Sequence, residues 1–396
     1  MPVKVFIFDL MHYKADIDRF REDGRLPRKL VKRHFDAQAA VQTYAEHLSA
    51  WAEMERLGFD GVGVNEHHAT PYGLMNSPNL LVAAAAQRTQ RMKLLIYGNL
   101  LPLHEPLRLA EELAMLDCLS AGRLIAGVAR GAQREYRAQG IPMSESRARF
   151  EEGYEIMRRA WTEDLFSFHG QFHSYEDISI WPRPVQQPHP PVWIPVTGSK
   201  ETIEWAAAND IPITPGVMRG TAREDTIRLY SRLMAEHGRK ATPDHFNIMV
   251  DCYVADSKEQ AVAEYGPHYR YSFNTLMAYD HPKADFGKTG YYSDKSQEHL
   301  RAGSQGTLAD ASMFERQMSQ DDFRAQAEHM PIGTPDEVAE RIIDEANDAG
   351  AETVLLMCNR GAMPTEMFLN QIKRLGEEVL PRLQAHGVKL SPHAQA

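Results

Sequence analysis

The run Gly61-Val62-Gly63-Val64-Asn65-Glu66-His67-His68 puts a carboxylate and two imidazoles at the end of an apolar, strand-like stretch. In a barrel of parallel strands, the carboxyl ends of the strands face the mouth where substrates bind. His67 and His68 are therefore candidate general acids or bases, since an unperturbed imidazole titrates at about 6.5, and Glu66 is the carboxylate beside them. Two plainer readings stand next to this one. A His-His pair can hold a metal, but neighbours on a strand point to opposite faces, which keeps both from one ion, so no metal is expected. A pair hydrogen-bonded into the rim would be purely structural.

Three other strand ends carry polar groups. Tyr97-Gly98-Asn99 interrupts an apolar run with a glycine, which permits a bulge, a close approach of backbone to a planar ligand, or simply a tight turn. Gly127-Val128-Ala129-Arg130-Gly131 ends in a guanidinium suited to a phosphate or carboxylate, or to an ion pair with Glu135; Arg147, ahead of the next helix, can point at the same anion. Val196-Thr197-Gly198-Ser199-Lys200-Glu201-Thr202 sets a glycine and hydroxyls at a helix N-terminus, where free N–H groups and the dipole attract phosphate, although Ser199 as an ordinary cap explains the same pattern. Neither a P-loop nor a G-x-G-x-x-G spacing is present.

These ends need strands to hold them. Strand-like runs at 3–8, 61–65, 93–98, 123–128, 192–195, 211–214, 247–255 and 353–357 alternate with helical patterns at 36–57, 77–90, 106–119, 149–162, 199–209, 221–237, 335–349 and 364–384. Eight such units predict an α/β fold, a (β/α)8 TIM barrel forming one domain over 1–396, with a doubly wound open sheet as the alternative. Three stretches break the alternation: 12–35 after strand 1, 166–191 before strand 5, read as a hairpin and a proline-rich connector, and 265–331 after strand 7. The last is expected to be mobile, with 279–310 as a lid, and the tail 386–396 is expected to be loose.

The 396 residues are 43% hydrophobic and 25% charged, ordinary for a globular enzyme, and the net charge of −10 without a basic block makes nucleic acid an unsuitable partner. Cys118, Cys252 and Cys358 form no C-x-x-C pair, which fits a reduced, cytoplasmic setting, and no run approaches the roughly 18 apolar residues of a membrane span. The basic residues between Arg19 and Arg33 suit either a solvated face or an anionic substrate.

Taken in order, Glu66-His67-His68, Leu101-Pro102-Leu103-His104-Glu105-Pro106, Leu119-Ser120-Ala121-Gly122-Arg123, Gly127-Val128-Ala129-Arg130-Gly131, Thr197-Gly198-Ser199-Lys200-Glu201-Thr202 and Pro331-Ile332-Gly333-Thr334-Pro335-Asp336 resemble the bacterial luciferase-like flavin monooxygenases over almost the whole chain. The resemblance implies a barrel that takes reduced FMN from a separate NAD(P)H-dependent flavin reductase. With O2 as co-substrate it would form a flavin C4a-(hydro)peroxide that oxygenates a small organic substrate, typically in a dimer. His67 matches the family's catalytic histidine, and Arg130, Arg147, Ser199 and Thr202 match positions that hold the FMN phosphate. Tyr97-Gly98 matches a non-prolyl cis peptide beneath the flavin. Gly198 departs from the luciferase catalytic chain, which has a carboxylate there, and Ala129 replaces its reactive cysteine. The same fold with deazaflavin F420, a non-catalytic partner subunit and a metal-dependent hydrolase are the alternatives.

Overall fold

The computed structural model describes residues 2–196, 199–215, 220–279 and 317–394. Its strands are β1 (Lys4–Asp9), β2 (Gly61–Val64), β3 (Lys93–Leu100), β4 (Leu124–Ala129), β5 (Phe166–His169), β6 (Ser174–Ile178), β7 (Val192–Pro195), β8 (Ile213–Thr214), β9 (Asn247–Asp251), β10 (Tyr253–Val254), β11 (Ile332–Gly333) and β12 (Thr353–Met357). Eight of them form one parallel sheet in the order β8-β7-β4-β3-β2-β1-β12-β9, and a parallel bridge from Ile213 to Phe246 brings its two edges together. The expected (β/α)8 barrel is therefore the architecture, nearly closed. Its strands read as unbroken apolar runs because helices cover one face and side chains fill the other, leaving no wet side.

Two apolar layers follow from that geometry. Val5, Ile7, Val62, Leu94, Ala126 and Val354 face outward to the helices, whereas Phe6, Phe8, Leu95, Tyr97, Met249 and Leu355 fill the barrel. Tyr13 and Ile17, from the segment after β1, and Leu276 join the inner layer. The helices are punctuated as the sequence suggests: Asp36 caps Ala37–Leu57 by accepting from the amides of Gln38 and Ala39, and Thr334 and Glu337 form a capping box on Pro335–Ala349. No helix among the described residues is long and apolar enough to cross a membrane.

Several expectations are corrected. The strand read over 247–255 breaks at Cys252, and β10 leaves the barrel to pair with β11 while the Gln371 amide bridges the N–H and C=O of Val254. The helix Lys258–Tyr271 is not among the expected helical patterns and has Pro267 inside it; it persists because Tyr265, Gly266 and Tyr269 are buried, the glycine leaving room for the Phe323 ring. The described ends of 265–331 are thus packed helices, Gln320–Ala327 closing the other side, while 280–310 of the expected lid lies outside the described residues. The helix read as 364–384 is interrupted by a π turn, Leu375–Val379, before Leu380–Ala385. Over the described residues of the tail, Val388, Ser391 and Ala394 are buried, and the Ser391 hydroxyl donates to the Asp348 carbonyl. The expected hairpin is present as β5 and β6.

Candidate active site

A cavity opens at the carboxyl ends of the barrel strands, bounded by Phe8, His67, Tyr97, Arg130, Met249 and Arg360. One wall is a shelf of backbone. The register of β3 on β4 shifts between Ile96 and Asn99, and within that irregularity the Tyr97–Gly98 peptide is cis. A Cβ on Gly98 would lie 2.7 Å from the backbone of Gly127 and Val128, and one on Gly127 would lie 2.1 Å from the Ile96 carbonyl oxygen. Both glycines are there because two backbones meet with no space between them.

Glu66 ties this shelf to the loop after β2. Its carboxylate, 2% exposed as a residue, accepts from His68 Nε2 at 2.8 Å, His104 Nε2 at 2.9 Å, Asn99 Nδ2 at 3.2 Å and the Leu100 amide at 3.1 Å. Burial pushes its pKa up, but the His104 and His68 hydrogen bonds outweigh that and hold it at about 2. The same contact raises the His68 pKa. Glu66 lines the cavity whereas His68 does not, its ring being turned to Glu66. Of the two imidazoles after β2, His67 is the one that lines the cavity.

His67 is oriented by Glu135. Its Nδ1 lies 3.1 Å from Glu135 Oε1, which leaves Nε2 for the cavity, and its ring meets the Tyr72 ring edge-on at 4.9 Å. Glu135, 0% exposed, lies in the first turn of the helix Gln133–Gln139, accepts from the Ala132 amide and pairs with Arg134. Burial alone would raise its pKa; the His67 contact and Arg134 bring it below the usual carboxylate value. Glu135 is met by His67 and Arg134, and Arg130 donates to Ser146.

The anion candidates gather next to the cavity. Arg147 Nη2 donates to Thr202 Oγ1 at 2.8 Å and to Ser199 Oγ at 3.4 Å, and Arg130 Nη1 donates to Ser146 Oγ at 3.4 Å, one residue from Arg147. Ser199 stands at the N-terminus of Lys200–Ala208 without capping it through its side chain, and its hydroxyl donates to Glu201 Oε2 at 3.2 Å. Gly198 lies outside the described residues. Asn99 is buried behind the shelf, joined to Glu66 and to Asn79. Glu224, Asp348 and His393, the one group among the described residues spaced to hold a cation, do not line the cavity.

Sequence reading missed three groups. Glu135 entered only as an alternative partner of Arg130, without its contact to His67, and His104 stood in a motif without its contact to Glu66. Arg360, 2% exposed and paired through Nε and Nη2 with Asp251 at 2.5 and 2.9 Å, follows β12 and borders the cavity. The rule that found Arg130, a charge just past a barrel strand, applies to Arg360 as well.

The alkanal monooxygenase alpha chain of Photorhabdus luminescens is 27% identical over 340 residues, 83% of this chain and 89% of its own. The oxygenase component of the flavin-dependent trigonelline monooxygenase of Acinetobacter baylyi is 28% identical over 236 residues, 58% of this chain and 65% of its own. The crystal structure of monooxygenase RslO1 from Streptomyces bottropensis superposes with a TM-score of 0.71 at 28% identity, over 96% of this chain and 99% of that one. The share of a curated relative's length that aligns runs from 51% in one case to 90% in another, and is 55% for a relative 37% identical to this chain. The model of the luciferase-like monooxygenases matches residues 29–353, and the chain belongs to that family.

Proposed function

We propose that this chain is the oxygenase component of a two-component flavin monooxygenase, taking reduced FMN from a separate NAD(P)H-dependent reductase and using O2 to oxygenate a small organic substrate. The observation that carries the reading is the cluster in which Arg147 binds Ser199 and Thr202 at a helix N-terminus, with Arg130 held beside it by Ser146. Two guanidinium groups, hydroxyls and a helix N-terminus make a donor set for a phosphate dianion. The Gly98 shelf and the apolar walls of the cavity fit a planar ring.

When bound, reduced flavin supplies the two electrons that activate O2. The residues of this chain do the rest. Arg130, Arg147, Ser199 and Thr202 anchor the phosphate, and the shelf sets the ring plane. His67 holds or gives a proton at Nε2, with Glu135 fixing its tautomer through Nδ1. Glu66 keeps the shelf in place.

Anaerobic titration with photoreduced FMN tests the cofactor. Each charge-assisted hydrogen bond contributes about 1.5 to 3 kcal/mol, so Arg147→Ala should weaken FMN roughly ten- to a hundredfold while leaving riboflavin binding almost unchanged. Equal loss of both ligands would point to a folding defect, and binding of F420 in place of FMN would refute the cofactor. His67→Gln should spare flavin binding and lower the yield of oxygenated product.

A further inference from the structure

The basic run that the reaction chamber leaves without a role borders a second cavity. Over 25–35 the chain carries Arg25, Arg28, Lys29, Lys32 and Arg33 and no acidic residue, in a molecule whose net charge is −10. Hydrogen bonds to two tyrosines fix this segment: the Leu30 amide donates to the Tyr279 hydroxyl, and the Asp36 amide, just past the run, donates to the Tyr13 hydroxyl at 2.6 Å. His34 folds back onto it, its Nδ1 accepting from the Val31 amide at 2.9 Å and its ring meeting the Phe20 ring at 4.5 Å. Asp36 is taken up by the amides of Gln38 and Ala39. A cleft lined by one sign of charge focuses its field on whatever enters.

The cavity, of about 420 Å3, lies between this segment and the loop after β2. The reaction chamber has about 260 Å3, and the two have no lining residue in common. They stand back to back: Pro71 lines the one and Tyr72 the other, and Asn76, on the second cavity, donates through Nδ2 to the His67 carbonyl at 2.7 Å. Tyr13, Ile17 and Leu74 give the second cavity apolar walls, yet Phe35 and Val31, which also line it, remain 53% and 45% exposed. Phe35 stacks on Tyr13 at 5.6 Å. Lys29 and Lys32 stand among these side chains and no lining residue is a carboxylate. The Lys32 ammonium has no partner among the described residues.

We propose that this cavity is a second binding site, separate from the reaction chamber, for a small amphipathic carboxylate, its flat apolar body against Tyr13, Leu74 and Phe35 and its charge towards Lys29 and Lys32. The body is selected by the apolar surface it removes from water at Phe35 and Val31. The charge is selected by sign, since a neutral ligand forgoes the attraction of the lysines and a cation meets like charge. Both lysines are in contact with solvent, where attraction is modest and screened, so the apolar contact supplies most of the affinity and the lysines supply the preference. Occupancy is independent of flavin, because none of Arg130, Arg147, Ser199 and Thr202 lines this cavity.

The test uses 2-naphthoate, 2-naphthamide and 2-naphthylmethylammonium, one body with three charges, in equilibrium dialysis against the full chain with and without saturating FMN. 2-Naphthoate should bind saturably and, at low salt, roughly fivefold more tightly than the other two, with the margin closing as salt approaches about 1 M. FMN should leave its affinity unchanged. Lys29→Gln combined with Lys32→Gln should bring 2-naphthoate to the affinity of 2-naphthamide and leave 2-naphthamide unmoved, whereas Phe35→Ser should weaken all three. The three positions are exposed, so these variants should melt as the parent does. Equal affinity for the three probes, a 2-naphthoate affinity that ignores the lysine variant, or no saturable binding below about 1 mM would overturn the proposal. So would 2-naphthoate that FMN displaces and Arg147→Ala weakens, which assigns it to the cluster of Arg130 and Arg147.

Discussion

Replacing Glu66 by glutamine keeps the shape of the side chain and removes its charge, and the consequence can be worked out from its surroundings. All the groups that face the carboxylate donate: His68 Nε2, His104 Nε2, Asn99 Nδ2 and the Leu100 amide. An amide must set its own N–H2 against at least one of them. The carboxylate sits at about 2 against its usual 4.5, and with each tenfold in proton affinity worth about 1.4 kcal/mol the ion contributes roughly 3 kcal/mol at neutral pH. Because the folded value is the lower one, that stability is present above pH 4.5 and lost as pH falls towards 2. The raised His68 acts in the opposite sense: its share is complete below 6.5 and lost as pH rises through its folded value. The stability gap between parent and Glu66→Gln should therefore be widest between about pH 4.5 and 6.5, narrower in mild alkali, and closing in acid. Urea midpoints and melting temperatures taken from pH 8 to pH 3 measure it. A gap that is absent, or flat across that range, would refute the account of Glu66 as a buried anion held by its donors.

Two further outcomes follow from single residues. His12, whose ring links the Tyr72 carbonyl to the Ser272 hydroxyl, is held down at about 3, chiefly by burial, so the unfolded chain takes up its proton first. Stability should fall by about 5 kcal/mol as pH drops from 6.5 towards 3, and His12→Gln should flatten that slope in pH-dependent melting; an unchanged slope would place the acid sensitivity elsewhere. Gly98→Ala sets a methyl 2.7 Å from the Gly127 and Val128 backbone, which cannot yield as a side chain would, so a loss of about 1 to 3 kcal/mol is expected along with weaker FMN binding; parent-like melting and titration would show that the shelf has slack.

The barrel was legible because its signals are local and repeated: apolar runs of strand length, capped amphipathic helices, glycines after them. The grouping of Arg130, Arg147, Ser199 and Thr202 was legible for a related reason, since each stands at the end of an element whose position the alternation supplies. Pairings were not legible. Nothing in the spacing of Glu135 tells whether it meets Arg130 or His67, because the choice is made by the loop after β2 folding across β4, a contact between residues 68 apart in sequence. Glu66 was read as chemistry since it precedes two histidines, yet its four donors come from three separate places along the chain, and their convergence makes it a buried anchor. The helix through Pro267 was not legible either, since Tyr265, Tyr269 and Phe323 hold it together by burial. Arg360 differs from all of these, because the positional rule that selected Arg130 applied to it equally. Its partner Asp251 lies 109 residues earlier, at the end of the neighbouring strand β9, so no local pattern joins the two. Residue type at a strand end therefore marks who reaches the mouth of such a barrel, while the role each one plays there is set by which other strand end the closed sheet brings against it.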